Sequence, residues 1–564
     1  MPETDKPWLK SYQLGPFKLD HSLLPYPEVP LFHTLDQAAA AFPTQTAILF
    51  EGRSVKYHEL KRWSDRLASS LARLGLEKGD RVCLYLENCP EFMLSYWAVL
   101  KAGGVVVPTS ILRTEEGLLH ELGESGSRMI ICKEGYLERV AAVRQRTRVE
   151  HILVASDAGY DVEPVPHALP KQAHDLRLLL KEGDDTPPSV AIDPRQDLCM
   201  VIFTGGATGV PKGVMLSHFN YSCPQLQGFA WYLKPLLKGL AGKASVLMAI
   251  PMFHIFGGFI AQAAASQGLR IILLPDPRDT QAMAKALIEH RPFLVPGVPT
   301  QFMRLAAVEL KRVNSMLFSG AAPLPSEVAE TIKRKTGMAL SEGYGLTETS
   351  SIVTVNLSSF SRITGFASKE IPGIGVPVPD TECRLVDPAT GAEVPIGEAG
   401  ELLVRGPQVM QGYWPTPGSG LTEDGWLHTG DIAVMDEAGY FKIVDRIKDM
   451  VNVSGMKVYT TEVDQVLFRH PAVRMAAAFG VPDPEAPGSE RVAAVVQLKA
   501  EQQGQVSAEE LRSFCREHLA AYAVPKWIEF REDLPLTVTE KVFKKALRDE
   551  AIARMQQGSV PQQG

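Results

Sequence analysis

From Tyr57 to Val107 the hydrophobic pattern alternates between helical and strand spacing, and this alternation narrows the fold more than any single motif does. Tyr57 to Leu74 has apolar residues at helical intervals, and Arg81 to Leu86 is an apolar run of strand length. Pro90 to Lys101 is helical again, and Gly104 to Val107 is another short strand after Gly103. Strands that are apolar throughout, joined by helices, predict parallel sheets covered on their faces. At 564 residues the chain is too long for one core, so a large body and at least one further domain are expected.

The pattern restarts after Asp445. A strand, a helix over Glu462 to Arg469, strands near Ala476 and over Val492 to Lys499, and a helix over Ala508 to Leu519 suffice for a separate α+β domain. Between Thr381 and Val404, short alternating runs broken by Gly and Pro predict a small β subdomain. Asp157 to Asp197 is polar and proline-bearing, with a helical patch over Leu176 to Leu180, and reads as a surface excursion. The chain from Met555 onward, rich in Gln and Gly, reads as a frayed tail.

Composition bounds the function. A hydrophobic fraction of 45% and a charged fraction of 22% are those of an ordinary globular protein. A formal charge of −7 argues against broad nucleic-acid binding but leaves room for a nucleotide in one basic pocket. The seven cysteines are scattered, with no C-x-x-C pair and no H-E-x-x-H, so neither a disulfide framework nor a zinc site is expected. The N-terminus has no basic region followed by an apolar core, and the cytoplasm is the default location. Val246 to Pro275 is apolar, but Pro251, His254, Gln262, Gln267 and Arg270 interrupt it, so a buried strand–helix–strand is expected there rather than a membrane span.

The strand Leu198 to Phe203 feeds a loop, Thr204-Gly205-Gly206-Ala207-Thr208-Gly209-Val210-Pro211-Lys212-Gly213. Its glycines let backbone N–H groups close around phosphate oxygens without Cβ clashes, and Lys212 adds charge. It is not a Walker A loop, because Pro211 precedes the lysine, and Thr204 departs from G-x-G-x-x-G. The bland alternative is a tight turn between strands with an exposed lysine.

The loop resembles the phosphate-binding loop of the adenylate-forming superfamily, which holds acyl-CoA synthetases, peptide-synthetase adenylation domains and beetle luciferases. Further segments resemble that family's motifs in the same order along essentially the whole chain. Pro251-Met252-Phe253-His254-Ile255-Phe256-Gly257 resembles its acyl-pocket segment, and Ser319-Gly320-Ala321-Ala322-Pro323 its adenine-side loop. Gly343-Tyr344-Gly345-Leu346-Thr347-Glu348-Thr349 resembles its nucleotide and metal motif. Gly425 to Asp431 resembles its ribose motif, and Val444-Asp445-Arg446-Ile447-Lys448-Asp449 its hinge. Val453-Ser454-Gly455 resembles the loop that lines the pantetheine tunnel of CoA ligases, and Leu534 to Val542 the closing motif that carries a catalytic lysine, here Lys541.

The resemblance implies an α/β fold: a large N-terminal body (1–445) of parallel-sheet αβαβα layers plus a small β subdomain, a mobile α+β C-terminal domain (446–554) and a flexible tail (555–564). It implies an AMP-forming acid–thiol ligase that uses ATP, Mg²⁺ and coenzyme A, with a medium- or long-chain fatty acid as the expected substrate. Attack of a carboxylate oxygen on the α-phosphorus of ATP releases pyrophosphate, and the CoA thiol then displaces AMP from the acyl-adenylate. Lys541, Lys212, Thr208 and Glu348 would stabilise the first step, with Glu348 and Thr208 on the metal. Thr204, Gly205, Gly206, Ala207, Gly209, Gly320, Ala321, Ala322, Gly343, Tyr344, Gly345, Thr347, Asp431 and Arg446 would hold the nucleotide. Phe253, His254 and Phe256 would line the acyl site, Ser454 and Gly455 would meet CoA, and Asp445 and Lys448 would form the hinge.

Two departures stand out. Ala207 replaces the usual hydroxyl residue of the phosphate loop, and Glu540 the usual glycine before the lysine. Four alternatives stay open: an acyl-AMP ligase that loads a carrier-protein thiol, an aromatic acid–CoA ligase, a luciferase-like monooxygenase, and a non-catalytic nucleotide-binding module. The expected partners are small molecules, with no nucleic acid and at most peripheral membrane contact; a homodimer stays open.

Overall fold

In the strand Arg81–Tyr85, Val82 and Leu84 point into one core while Cys83 and Tyr85 point into another. A strand buried on both faces needs a covering layer on each side, and this requirement builds the N-terminal body. The structure, a computed structural model, describes residues 6–157, 159, 169–205, 211–308, 310, 315–322, 324–337, 340–363, 365, 371–537 and 541–557.

Arg81–Tyr85 lies inside a nine-stranded sheet whose strands run parallel from Leu198–Gly205 through Val105–Pro108, Arg81–Tyr85, Met129–Lys133 and His151–Ala155 to Ala173–Asp175. Beyond Leu198–Gly205 the sheet continues antiparallel through Pro211–Ser217 and Gly412–Tyr413 to Thr416–Pro417 at its edge. A second nine-stranded sheet has a parallel centre: Leu340–Tyr344, Met316–Ser319, Leu294–Gly297, Ser245–Met248, Arg270–Leu273 and Thr46–Phe50. Its strands alternate in the same way, with Val246 and Met248 in the core shared with the first sheet and Leu247 on the opposite side.

Helices fill the space between the sheets. Pro90–Lys101 is buried along its whole length, and Pro90 begins it where a missing N–H costs nothing. Ile255–Ser266 lies in the same layer. Lys101, at the end of its helix, is buried but bonds Asp36 at 2.6 Å and also Asp65, as a charge in a core requires. Helices Glu115–Ser125 and Leu137–Arg144 cover the outer face of the first sheet. Thr280–His290, Pro299–Ala307 and Ser326–Thr336 cover that of the second. The expected αβαβα layering is thus realised by two sheets and three helical layers.

The small β subdomain extends further than its sequence signal. Glu382–Val386, Gly400–Arg405, Leu427–Met435 and Phe441–Arg446 form one antiparallel sheet, so Arg446 still pairs within it. The separate C-terminal domain has a sheet of Val473–Pro482, Glu490–Leu498 and Trp527–Phe530. Ala476 and Ala478 face helices Thr460–Arg469 and Ala508–His518, while Ala477 and Phe479 face Lys544–Gln556.

Two expectations are corrected. The described part of the Asp157–Asp197 stretch is not all surface: Ala173–Asp175 adds an edge strand, and Leu176–Glu182 buries Leu176, Leu179 and Leu180. The closing helix takes in Met555 and Gln556, with Met555 packed on the domain core, because its apolar face continues past the sequence boundary drawn on composition. No described helix is long and apolar enough to cross a membrane.

Candidate active site

The loops that follow the parallel strands gather at one end of the second sheet. Gly320, Ala321 and Ala322 follow Met316–Ser319, and Gly345 to Glu348 follow Leu340–Tyr344. Open parallel sheets bind ligands at this carboxyl end. One cavity opens there, lined by Thr204, Lys212, Phe253, His254, Phe256, Gly320 to Ala322, Gly343 to Glu348, Asp431, Asp445 to Asp449 and Lys541. It therefore lies between the body and the C-terminal domain.

Glycine is required where the chain passes close to itself. A Cβ at Gly345 would sit 2.0 Å from the backbone oxygen of Ser351, and one at Gly257 would sit 2.1 Å from that of Pro251. Ala321 has φ +71°, a left-handed conformation uncommon for a residue that carries a Cβ.

Asp431 and Arg446 lie directly opposite each other on neighbouring strands, and Arg446 Nε donates to Asp431 Oδ1 at 2.8 Å. The Tyr344 hydroxyl donates to Asp431 Oδ2 at 2.6 Å, joining the second sheet to the β subdomain. Each carboxylate oxygen keeps a further lone pair for a ligand hydroxyl. Burial first, and then the Asp431 charge, hold the Tyr344 phenol well above its usual range.

Glu348 stands in a short turn, Thr347–Thr349, and its Oε1 accepts from the Tyr413 hydroxyl at 2.9 Å. Tyr413 also lies beneath Lys212, whose Nζ is 5.1 Å from the ring centre. No three His, Cys, Asp or Glu side chains converge as a metal cage among the described residues. A lone carboxylate that shares Tyr413 with a lysine still fits Mg²⁺, which is commonly held by one or two carboxylates together with substrate phosphates.

Asn88 fixes the start of the segment Pro251 to Gly257. Its amide donates to Ile250 O at 2.9 Å, and its Oδ1 accepts from Met252 N at 2.8 Å. His254 caps the helix Ile255–Ser266, with Nδ1 accepting from Phe256 N at 3.3 Å. Burial, followed by the Lys541 charge, pushes its pKa down to about 3. The ring is neutral, and with Nδ1 accepting it carries its proton on Nε2.

Lys541 reaches the cavity from the C-terminal domain. Its backbone N–H donates to Thr537 Oγ1 at 3.1 Å, and its carbonyl accepts from Thr537 N at 2.8 Å. Its pKa is lowered to about 8, chiefly by burial and then by Arg446, partly offset by Asp431. Asp445, buried beneath the domain junction, accepts from Thr460 Oγ1 at 3.1 Å and Thr461 Oγ1 at 3.2 Å. Lys544 is engaged elsewhere, on Asp464 at 2.6 Å.

The predicted residues are not all brought together. Ser454 and Gly455 form the tip of a hairpin between Val451–Val453 and Met456–Val458, with φ of +51° and +87°, and lie outside the cavity wall. Gly206, Ala207, Thr208 and Gly209 fall outside the described residues, as does Glu540; Thr204 and Gly205 pair with Lys212 and Pro211 at the mouth of that loop. Tyr413 and Asn88 went unrecognised in the sequence. Tyr413 ends a glycine-flanked segment that carries no chemical signal by itself, and Asn88 acts only through backbone partners distant in sequence.

An adenylate-forming architecture, with a cavity at the sheet's carboxyl end that a lysine from a second domain also lines, is what this fold defines. The chain belongs to the AMP-binding enzyme family, which matches residues 35–414, with the AMP-binding enzyme C-terminal domain matching 462–541. It is 36% identical over 575 residues to a long-chain-fatty-acid–CoA ligase of Bacillus subtilis, covering 97% of this chain and 98% of that one. It is 34% identical over 517 residues to a feruloyl-CoA synthase of Amycolatopsis sp., covering 90% and 96%. Among solved structures it resembles ATP-bound MatB from Rhodopseudomonas palustris, with a TM-score of 0.81 and 27% identity over 93% of this chain and 99% of that one.

Proposed function

We propose that this protein is an AMP-forming acid–CoA ligase that activates a carboxylic acid with a substantial apolar part. The observation that carries this reading is the position of Lys541, which shares one cavity with Glu348, Asp431 and His254 although it belongs to a different domain. The family relatives supply the acceptor, since the similar proteins from Bacillus and Amycolatopsis are named as CoA ligase and CoA synthase.

In this reading Tyr344 offers a face to adenine, and Asp431 with Arg446 grips the ribose hydroxyls. Lys212 and Thr208 hold phosphate oxygens. Glu348 would hold Mg²⁺, which screens phosphate charge when bound. Lys541 sits between the acid carboxylate and the α-phosphate, where negative charge gathers as they approach. The carboxylate oxygen bonds to the α-phosphorus and pyrophosphate leaves. After rotation about Asp445 to Lys448, the CoA thiol bonds to the acyl carbon, loses its proton to solvent, and AMP departs. In the observed arrangement Lys541 lines the cavity and the Ser454–Gly455 hairpin does not, and such a rotation would bring the hairpin in for the second step.

The test is pyrophosphate release across a panel of aliphatic and aromatic acids, with and without CoA. Acid-dependent release, with thioester formed only when CoA is present, is expected. Release without thioester, restored by a carrier protein, would replace CoA as the acceptor.

A further inference from the structure

The helix Ile255–Ser266 has a cavity on each side. Phe256 and Phe259 face the nucleotide-side cavity, whereas Gly258, Ala261 and Gln262, at i, i+3 and i+4, face a second, narrower one. The second cavity lies against the helix Pro90–Lys101 and shares Ile202, Phe253 and His254 with the first, so it opens directly behind the acyl-pocket segment.

Most of its wall is apolar, including Phe92, Met200 and Met252. Four residues of its lining carry an orphaned polar atom: Tyr96 Oη, Trp97 Nε1, Tyr221 Oη and Gln262 Oε1. Each belongs to a residue at least nine-tenths buried, and each has no hydrogen-bond partner among the described residues. Buried polar atoms in native proteins are almost always paired, so orphans that line one cavity point to a partner arriving from outside. A Cβ at Gly258 would lie 2.7 Å from Tyr221 Oη, so any larger residue there would crowd that hydroxyl.

We infer that this cavity receives the end of the acid remote from the carboxylate, and that the acid carries a hydroxyl there, on an alkyl chain or on an aromatic ring. The inference rests on the ligase reading above and names its substrate class. A hydroxyl donates to Gln262 Oε1, which can only accept, and accepts from a tyrosine. A saturated chain end leaves all four atoms unpaired. Sites built around such hydrogen bonds discriminate against analogues that lack the group far more strongly than apolar pockets discriminate by size.

The experiment compares matched pairs by kcat/KM for CoA thioester formation: saturated acids of graded length against their ω-hydroxy counterparts, and cinnamic against 4-hydroxycinnamic acid. At the best-fitting length the hydroxylated member is favoured by roughly 10- to 100-fold, and whichever pair shows it identifies an alkyl or an aryl source. Tyr221→Phe and Gln262→Leu each bring that ratio towards one; being a ratio, it does not depend on how much of the variant is folded. Equal kcat/KM within every pair, or a preference unchanged in both variants, overturns the inference and leaves the orphan atoms to a resident water. Absence of acid-dependent pyrophosphate with every acid defeats the ligase reading itself, and this inference with it.

Discussion

Replacing Lys541 by alanine separates a two-domain ligase from a simple nucleotide-binding protein. The folded lysine titrates at about 8 against an ordinary 10.5, because it is buried beside Arg446 and Lys448. At about 1.4 kcal/mol per pKa unit, docking the charged side chain without substrate costs on the order of 3 kcal/mol. The anionic carboxylate and phosphates offset that penalty on arrival, so closure of the C-terminal domain is coupled to ligand binding. The unfolded chain holds the proton more tightly than the folded one. The lysine therefore lowers stability in full below about pH 8, and stability recovers as pH rises from there to about 10.5.

Two consequences are measurable. Lys541→Ala slows acid-dependent pyrophosphate release by on the order of 10²–10³-fold, leaves ATP affinity within a few-fold, and spares thioester formation from supplied acyl-AMP plus CoA. The variant melts no lower than the parent at pH 7. In the parent, kcat/KM for adenylation falls as pH rises through about 8, where the lysine loses its charge. Lys448→Gln removes one of the neighbouring positive charges and moves that limb to higher pH. Near-normal adenylation by Lys541→Ala, or an alkaline limb that Lys448→Gln leaves in place, would refute this account of the lysine.

Glu348→Ala is expected to lower pyrophosphate release by roughly two decades or more and to weaken its dependence on Mg²⁺ concentration; a folded variant with normal release would remove Glu348 from the site. Lys448→Pro fixes φ at a residue that must change conformation during rotation, so it spares acyl-AMP formation and blocks thioester formation from acyl-AMP; parallel loss of both half-reactions would place the hinge elsewhere. Lys544→Ala strips Asp464 of its partner and lowers the stability of the C-terminal domain by up to ~3 kcal/mol, with a modest effect on adenylation in the fraction that stays folded. Denaturation followed by fluorescence, set beside the rate assay, checks that separation from Lys541.

Much of the architecture was legible because local pattern and tertiary role coincide. Pro90–Lys101 has a proline start and apolar residues on every side, which is what a helix between two sheets must have. Strand periodicity at Arg81–Tyr85 likewise announced burial on both faces. Two motif glycines were readable because they mark a backbone approach no other residue tolerates, Gly345 against Ser351 and Gly257 against Pro251.

Other features depended on partners far away in the chain. Nothing local to Leu176–Glu182 shows that its leucines are buried, since the Ser70 hydroxyl donates to Leu179 O from a helix more than a hundred residues earlier. The sequence by itself determined the fold class, the second domain and the family, because each rests on short-range periodicity or contiguous motifs. Only the tertiary structure decided which of those residues face one another now. Lys541 lies in the cavity and Ser454–Gly455 outside it, Tyr344 bonds Asp431 across 87 residues, and Tyr96, Tyr221 and Gln262 line one buried cavity. These outcomes are set by how helices pack between two sheets and how one domain docks on another, and neither is encoded in any local stretch of chain.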